Sequence, residues 1–169
     1  MHGKVCERKG IFIAKAAYLL IEHLELFDAV DPTTNDQNWA ALRIDTLAAQ
    51  RTVIVRDCDF HDADNGVLGR NSLAGDNVVV IEHSRFERLG RAGYAHGMYL
   101  GDGVSLFVLR DSEVLSNHAD GHLVKTRAKA NIIECNRIAG LEGLNSFLLD
   151  FPQGGDVTVR RNVLEAGPR

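Results

Sequence analysis

The chain repeats itself. Cut before Gly10, Ala41, Gly66, Gly97, Gly121 and Ser146, it falls into six stretches that align over two apolar runs, with starts 31, 25, 31, 24 and 25 residues apart. A period of this size marks a stack of supersecondary units, each burying its apolar face against its neighbours. The remaining question is which unit repeats.

The columns answer it. Each unit opens on a small residue and a short alternating stretch, from Gly10-Ile11-Phe12-Ile13 to Ser146-Phe147-Leu148-Leu149. In the second stretch one position runs Leu19, Val53, Val79, Phe107, Asn131, Val157, and two residues on it runs Ile21, Val55, Ile81, Leu109, Ile133, Val159. After the following turn come Leu24, Cys58, Ser84, Ser112, Asn136, Asn162, and then Leu26, Phe60, Phe86, Val114, Ile138, Leu164. Apolar residues at period two, rich in β-branched types, specify strands, three short ones per unit. Like polar residues stacked in the Ser84-to-Asn162 column can hydrogen-bond from one coil to the next.

An outward column tests this register. It reads Glu22, Arg56, Glu82, Arg110, Glu134, Arg160, alternating in sign throughout. In stacked parallel strands such neighbours lie about 4.8 Å apart, where opposite charges attract and like charges repel. A helical repeat gives no reason for the alternation. The reading is an all-β solenoid of parallel strands with about six coils, with residues 1–9 as a lead-in and 10–169 as one domain.

The Gly-Ile-Xaa-Ile opening, the inward Asn/Ser ladder and coils of this size resemble the right-handed parallel β-helix proteins of the pectate-lyase-like superfamily. The likeness extends from about Lys9 to Arg169. His96-Gly97-Met98-Tyr99, Gly121-His122-Leu123-Val124-Lys125-Thr126-Arg127-Ala128 and Asp150-Phe151-Pro152-Gln153-Gly154-Gly155 are similar to a bacterial subgroup of mostly unassigned activity. The resemblance implies a right-handed coil. Its members include polysaccharide lyases, epimerases, hydrolases and structural proteins, often exported, so fold alone does not choose among them.

Composition narrows the partners. At 169 residues and 45% hydrophobic the chain can bury a continuous core, and a net charge of −4 lacks the basic footprint of a nucleic-acid binder. No apolar run reaches a membrane span, and residues 1–9 have no signal-peptide core. Cys6, Cys58 and Cys135 form no convincing disulfide spacing, and Cys58 falls in the inward ladder as a packed thiol. No amphipathic helix precedes the first coil as a cap, so either the chain is a fragment with further coils ahead of it or something else, such as a second copy, covers an open end near Ile11 to Ile21. With the outward apolar column Leu20, Ile54, Val80, Val108, Ile132, this points to a homo-oligomer.

Insertions mark a functional side. The longer spacings arise at Asp28–Ala40 and Leu89–His96, between the third strand of one coil and the first strand of the next. Solenoid insertions gather on one face, often the binding face. Trp39 and Tyr94 lie in these walls, as platforms for a sugar ring or as plugs beneath their own loops. The groove floor reads Ala14, Asp45, Arg70, Gly101, Lys125, Asp150, so that Gly101 leaves an open step between two cations.

This pattern suits an acidic polysaccharide. β-Elimination or epimerisation next to a sugar carboxylate needs a cation to neutralise it, a base and an acid. Lys125 or His96 serves as base, Tyr99 as acid, and Arg127 or Arg70 as carboxylate partner, with Arg70, Asp150, Trp39 and Tyr94 binding substrate. No cofactor and no metal is called for, although His61, Asp62 and Asp64 share one turn. Structural readings stand beside these: Asp45–Arg70 and Lys125–Asp150 as inter-coil ion pairs, and His122 as a core histidine beside Met98 and Phe147. The alternative function is a non-catalytic glycan-binding or assembly module.

Overall fold

Alternation at period two buries one face of an extended chain, and a corner must follow each short strand if the next is to begin a new face. The computed structural model describes residues 9–30, 39–45, 50–69, 76–91 and 93–168, and every element in them is a strand. The first rung is β1 (Gly10–Ala14), β2 (Tyr18–Glu22) and β3 (Glu25–Phe27); the second is β4 (Ala40–Ile44), β5 (Thr52–Arg56) and β6 (Asp59–Ala63). The third is β7 (Asn65–Gly69), β8 (Asn77–Glu82) and β9 (Arg85–Leu89); the fourth is β10 (Met98–Leu100), β11 (Val104–Arg110) and β12 (Glu113–Leu115). The fifth is β13 (His122–Thr126), β14 (Ala130–Glu134) and β15 (Arg137–Ala139); the last is β16 (Phe147–Asp150), β17 (Asp156–Arg160) and β18 (Val163–Glu165). Every third strand pairs in parallel, giving three six-stranded sheets and a parallel β-solenoid of about five turns.

The second and third sheets keep the expected columns. Leu19, Val53, Val79, Phe107, Asn131 and Val157 pair in register, as do Leu26, Phe60, Phe86, Val114, Ile138 and Leu164. Phe60 and Phe86 stack with ring centroids 4.7 Å apart and planes within 5°. Between these sheets a turn residue with positive φ recurs in every rung: His23, Asp57, His83, Asp111, Cys135 and Arg161, at 49–58°. The left-handed conformation turns the chain within two residues.

The next position carries the inward ladder. The amides of Cys58, Ser84, Ser112 and Asn136 donate to the side-chain oxygens of Ser84, Ser112, Asn136 and Asn162, at 2.8–3.1 Å. Asn136 Nδ2 also donates to the Leu109 carbonyl and Asn162 Nδ2 to that of Ile133. Corner amides left without a strand partner are thereby satisfied by the rung above, as buried polar groups require. Cys58 is a buried free thiol whose Sγ lies 3.1 Å from the Arg56 carbonyl, and Cys135 is an exposed one; Cys6 lies outside the described residues.

The charge ladder stands in one line. Glu82, only 3% exposed, accepts from Arg56 Nε at 2.7 Å on one side and from Arg110 on the other, and Arg160 reaches Glu134 at 2.6 Å. The apolar column from Leu20 to Ile132 is also in register, its central members half-buried side by side.

Two expectations change. In the first sheet Gly10 pairs with Ala40 rather than Ala41, and Tyr99 pairs with Lys125 rather than Leu123. In the first rung Ile21 and Leu26 are 5% and 0% exposed while Tyr18 and Leu20 are 60% and 39%, and in the last rung Val159 and Leu164 are 42% and 49%. Residues 1–8 of the lead-in lie outside the described residues.

Candidate functional site

The first sheet turns a cluster of polar side chains outward at its last three rungs. Met98 and Val124 face the core, so the alternate residues Tyr99 and Lys125 face out, and the register sets Tyr99, Lys125 and Asp150 side by side. The Lys125 ammonium lies 5.8 Å from the Tyr99 ring centroid and 3.5 Å from Asp150 Oδ2. Arg127 follows β13, its guanidinium carbon 5.9 Å from the same ring, and its Nε donates to the Tyr99 hydroxyl at 2.9 Å. Among the described residues, no carboxylate lies within ion-pair distance of Arg127.

Lys125 is therefore beside Tyr99, not beside Gly101. The Arg127 amide donates to the Leu100 carbonyl, which brings Arg127 level with Gly101. The open step becomes an aromatic one, flanked by two cations from a single strand end. The expected Lys125–Asp150 pair is present. Asp45 pairs with Lys9 at 2.8 Å. Arg70 lies outside the described residues, so its expected roles are not located.

Beneath this surface runs a column of rings. His96 is 6% exposed, with its ring centroid 5.7 Å from Tyr99 and 4.8 Å from His122. The His122 amide donates to His96 Nδ1 at 3.0 Å, so the His96 proton resides on Nε2. Burial, then the proximity of His122 and Lys125, pushes His96 down to about 3, which keeps it neutral. The His96 amide donates to Asn65 Oδ1, and Asn65 Nδ2 donates to the Trp39 carbonyl. His96 is thus a buried ring that fixes the main chain of the next rung.

His122 lies against this cluster, although the sequence reads it as a core histidine in preference to a catalyst. Its ring stacks on Phe147 at 5.1 Å, and its Nδ1 lies 3.5 Å from Asp150 Oδ2 with no hydrogen-bond partner. Burial and then Lys125 lower its pKa against the pull of Asp150 and Asp120. The signal for it was spacing: His122 and Asp150 come from neighbouring strands of one sheet.

The walls separate in character. Trp39 is 9% exposed, a plug at the start of β4, while Tyr94 is 78% exposed on its turn. Residues 31–38 and 92 of the two insertions lie outside the described residues. The other polar cluster is elsewhere: Asp62 accepts from Arg88 Nε and Nη2 at 2.9 and 2.7 Å, His61 bridges Asp62 and Glu25, and His118 lies 3.2 Å from Asp62. Those contacts occupy both Asp62 oxygens with protein donors, linking β3, β6 and β9 to the segment after β12.

No helix among the described residues is long and apolar enough to cross a membrane. Comparisons with protein-family models, with curated proteins and with solved structures returned no match to this chain.

Proposed function

We propose that the outward face of the first sheet binds an acidic polysaccharide and acts on it by proton transfer next to a sugar carboxylate, as a lyase or epimerase of the pectate-lyase-like kind. The observation that carries the reading is Tyr99 held between Lys125 and Arg127, with the neutral His122 imidazole on the strand of Lys125 and Asp150 on the rung after it.

Arg127 and Lys125 supply positive charge where a carboxylate and the enolate-like charge developing from it must be stabilised. Tyr99 accepts a hydrogen bond from Arg127, which orients its hydroxyl as the acid toward the departing or re-protonated carbon side. His122, kept neutral by burial and Lys125, is the base, and Asp150 stabilises the imidazolium it becomes. His96 positions His122 through the backbone rather than meeting substrate. Exposed Tyr94 offers a stacking surface at the rim.

The test is incubation with polyuronates of differing linkage, following the ultraviolet absorbance of unsaturated product and, for epimerisation, solvent deuterium incorporation. Binding without either signal would reduce the reading to a glycan-binding module. Neither binding nor turnover across acidic glycans would remove it.

A further inference from the structure

The outward face of the second sheet is apolar across its middle. Ile54, Val80, Val108 and Ile132 form one column on neighbouring strands, and Val78 and Leu106 stand beside the inner two in the preceding outward column. All six are half-buried rather than buried. No lysine, proline or carboxylate interrupts the two columns on β5, β8, β11 and β14. The third outward column is the charge ladder, which borders the apolar area. A contiguous apolar patch rimmed by charge marks a contact surface.

The rim identifies what covers it. Arg56, Glu82, Arg110 and Glu134 alternate in sign, and a column of that kind is complementary to its own reverse. The Arg56 and Arg110 side chains are 42% and 46% exposed, so each can meet a carboxylate beyond Glu82. We propose that this face docks on the same face of a second copy of the chain, about a two-fold axis parallel to the strands and passing between β8 and β11. Such an axis keeps each column opposite itself and reverses the order of the rungs. It sets Glu82 opposite Arg110 of the second copy, Arg56 opposite Glu134, Val80 opposite Val108 and Ile54 opposite Ile132. The apolar column reads Ile-Val-Val-Ile in either direction, so side chains of equal size meet.

Other placements fail. An axis lying on β8 or β11 opposes glutamate to glutamate and arginine to arginine, and like charges across an interface repel. A shift by one whole rung keeps the signs but faces Ile54 with Val80. An axis along the solenoid lays the charged column over that of Val78 and Leu106, stripping charges of water without giving them partners. Six strands about 4.8 Å apart and five residues long make the face roughly 29 by 17 Å, or about 1,000 Å² over two copies. That is near the least a specific interface needs, so dissociation in about the micromolar range is expected. The contact is isologous and closes at two copies. The Tyr99 cluster stands on the first sheet and takes no part.

The experiment uses the whole chain under reducing conditions, since Cys135 is exposed. Sedimentation equilibrium should give a dimer that dissociates on dilution. Val108→Lys and Val80→Glu each set an unpaired charge against a valine at two places in the dimer. Each should weaken association about tenfold or more, with the circular dichroism unchanged. An equimolar mixture of these two variants should recover the dimer, because the introduced lysine then faces the introduced glutamate while the other pair stays valine on valine. Val108→Lys mixed with Ile54→Glu should remain monomeric, since position 54 faces position 132. A parent chain that is monomeric at high micromolar concentration or forms an open-ended series of masses overturns the proposal. So do single variants that associate like the parent, and mixtures that recover equally or not at all.

Discussion

Arg127 donates its Nε hydrogen to the hydroxyl of Tyr99 across 2.9 Å, joining the end of one strand to the middle of the strand below. Both side chains are half-buried, so the bond orients the phenol more than it stabilises the fold. Tyr99→Phe should lower turnover on the active polyuronate by about 10²-fold or more, while shifting the unfolding free energy by only about 0.5–1.5 kcal/mol. Steady-state kinetics beside urea denaturation separates these. A variant that loses stability and keeps its rate would make Tyr99 a strut.

The asparagine ladder is the opposite case. Asn136 is 3% exposed, accepts from the Ser112 amide and donates to the Leu109 carbonyl. Asn136→Ala leaves the Ser112 amide buried without a partner, which costs about 1–3 kcal/mol, and removes the side-chain bond to the Leu109 carbonyl and the packing of the amide. A loss of roughly 2–5 kcal/mol in urea is expected, with Ser112→Ala losing less, because Ser112 supplies one acceptor oxygen to the Ser84 amide.

Glu82 should matter far more than Glu22. Glu82 is buried between Arg56 and Arg110, whereas Glu22 is exposed and 3.9 Å from Arg56. Glu82→Gln leaves two arginines facing a neutral amide. Their heads are partly solvated, so a cost of about 1–3 kcal/mol is expected rather than the full penalty of a sealed pair. Glu22→Gln should fall within about 0.5 kcal/mol of the parent. Equal effects, or a large salt dependence in the first, would contradict the burial argument.

The histidines give a signed pH response. His96 titrates at about 3 in the fold against an ordinary 6.5, so the unfolded chain takes up a proton that the folded chain refuses. Stability is therefore lost as pH falls from 6.5 toward 3. His61 runs the other way: burial depresses it, but the hydrogen bonds it donates to Asp62 and Glu25 outweigh that and raise it. Its contribution is present below about 6.5 and is lost as pH rises through the folded value. His96→Asn keeps an acceptor for the His122 amide and removes the titration, so its stability should fall less steeply on acidification. His61→Gln should flatten the neutral side instead. Unchanged slopes in both variants would assign the response to other groups.

The left-handed corner makes a backbone prediction. Asp111 has φ of 50°. Asp111→Gly should be nearly neutral, whereas Asp111→Val should cost at least about 1–2 kcal/mol, because a side chain in this region crowds the following carbonyl. Thermal unfolding of the two variants checks it.

The second and third sheets were legible because each column carries an independent mark. Sign alternation from Glu22 to Arg160 and the polar run from Ser84 to Asn162 both fail if the alignment slips by one. The first sheet has no such mark. There glycines drew the alignment, and they obey a different constraint. A Cβ on Gly97 would lie 2.5 Å from the Leu123 carbonyl oxygen and one on Gly121 2.3 Å from that of Ala95, so each marks a close backbone approach and the two do not share a column. The two-residue slip preserved the face, which is why Tyr99, Lys125 and Arg127 were read on one surface while their neighbours were not. His122 was hidden by its stack with Phe147, a contact equally expected of a core residue. The ladder through Asn65 and Trp39 left no trace, because its acceptors are main-chain carbonyls or one isolated side chain.

The alternating charges from Glu22 to Arg160 impose a parity on how such a protein can grow. Removing the single rung that carries Glu82 would bring Arg56 beside Arg110, and duplicating it would set one buried glutamate on another. Two rungs removed or copied together keep every neighbour opposite in sign. The heritable unit of length in this solenoid is therefore a pair of coils, although its geometric unit is one.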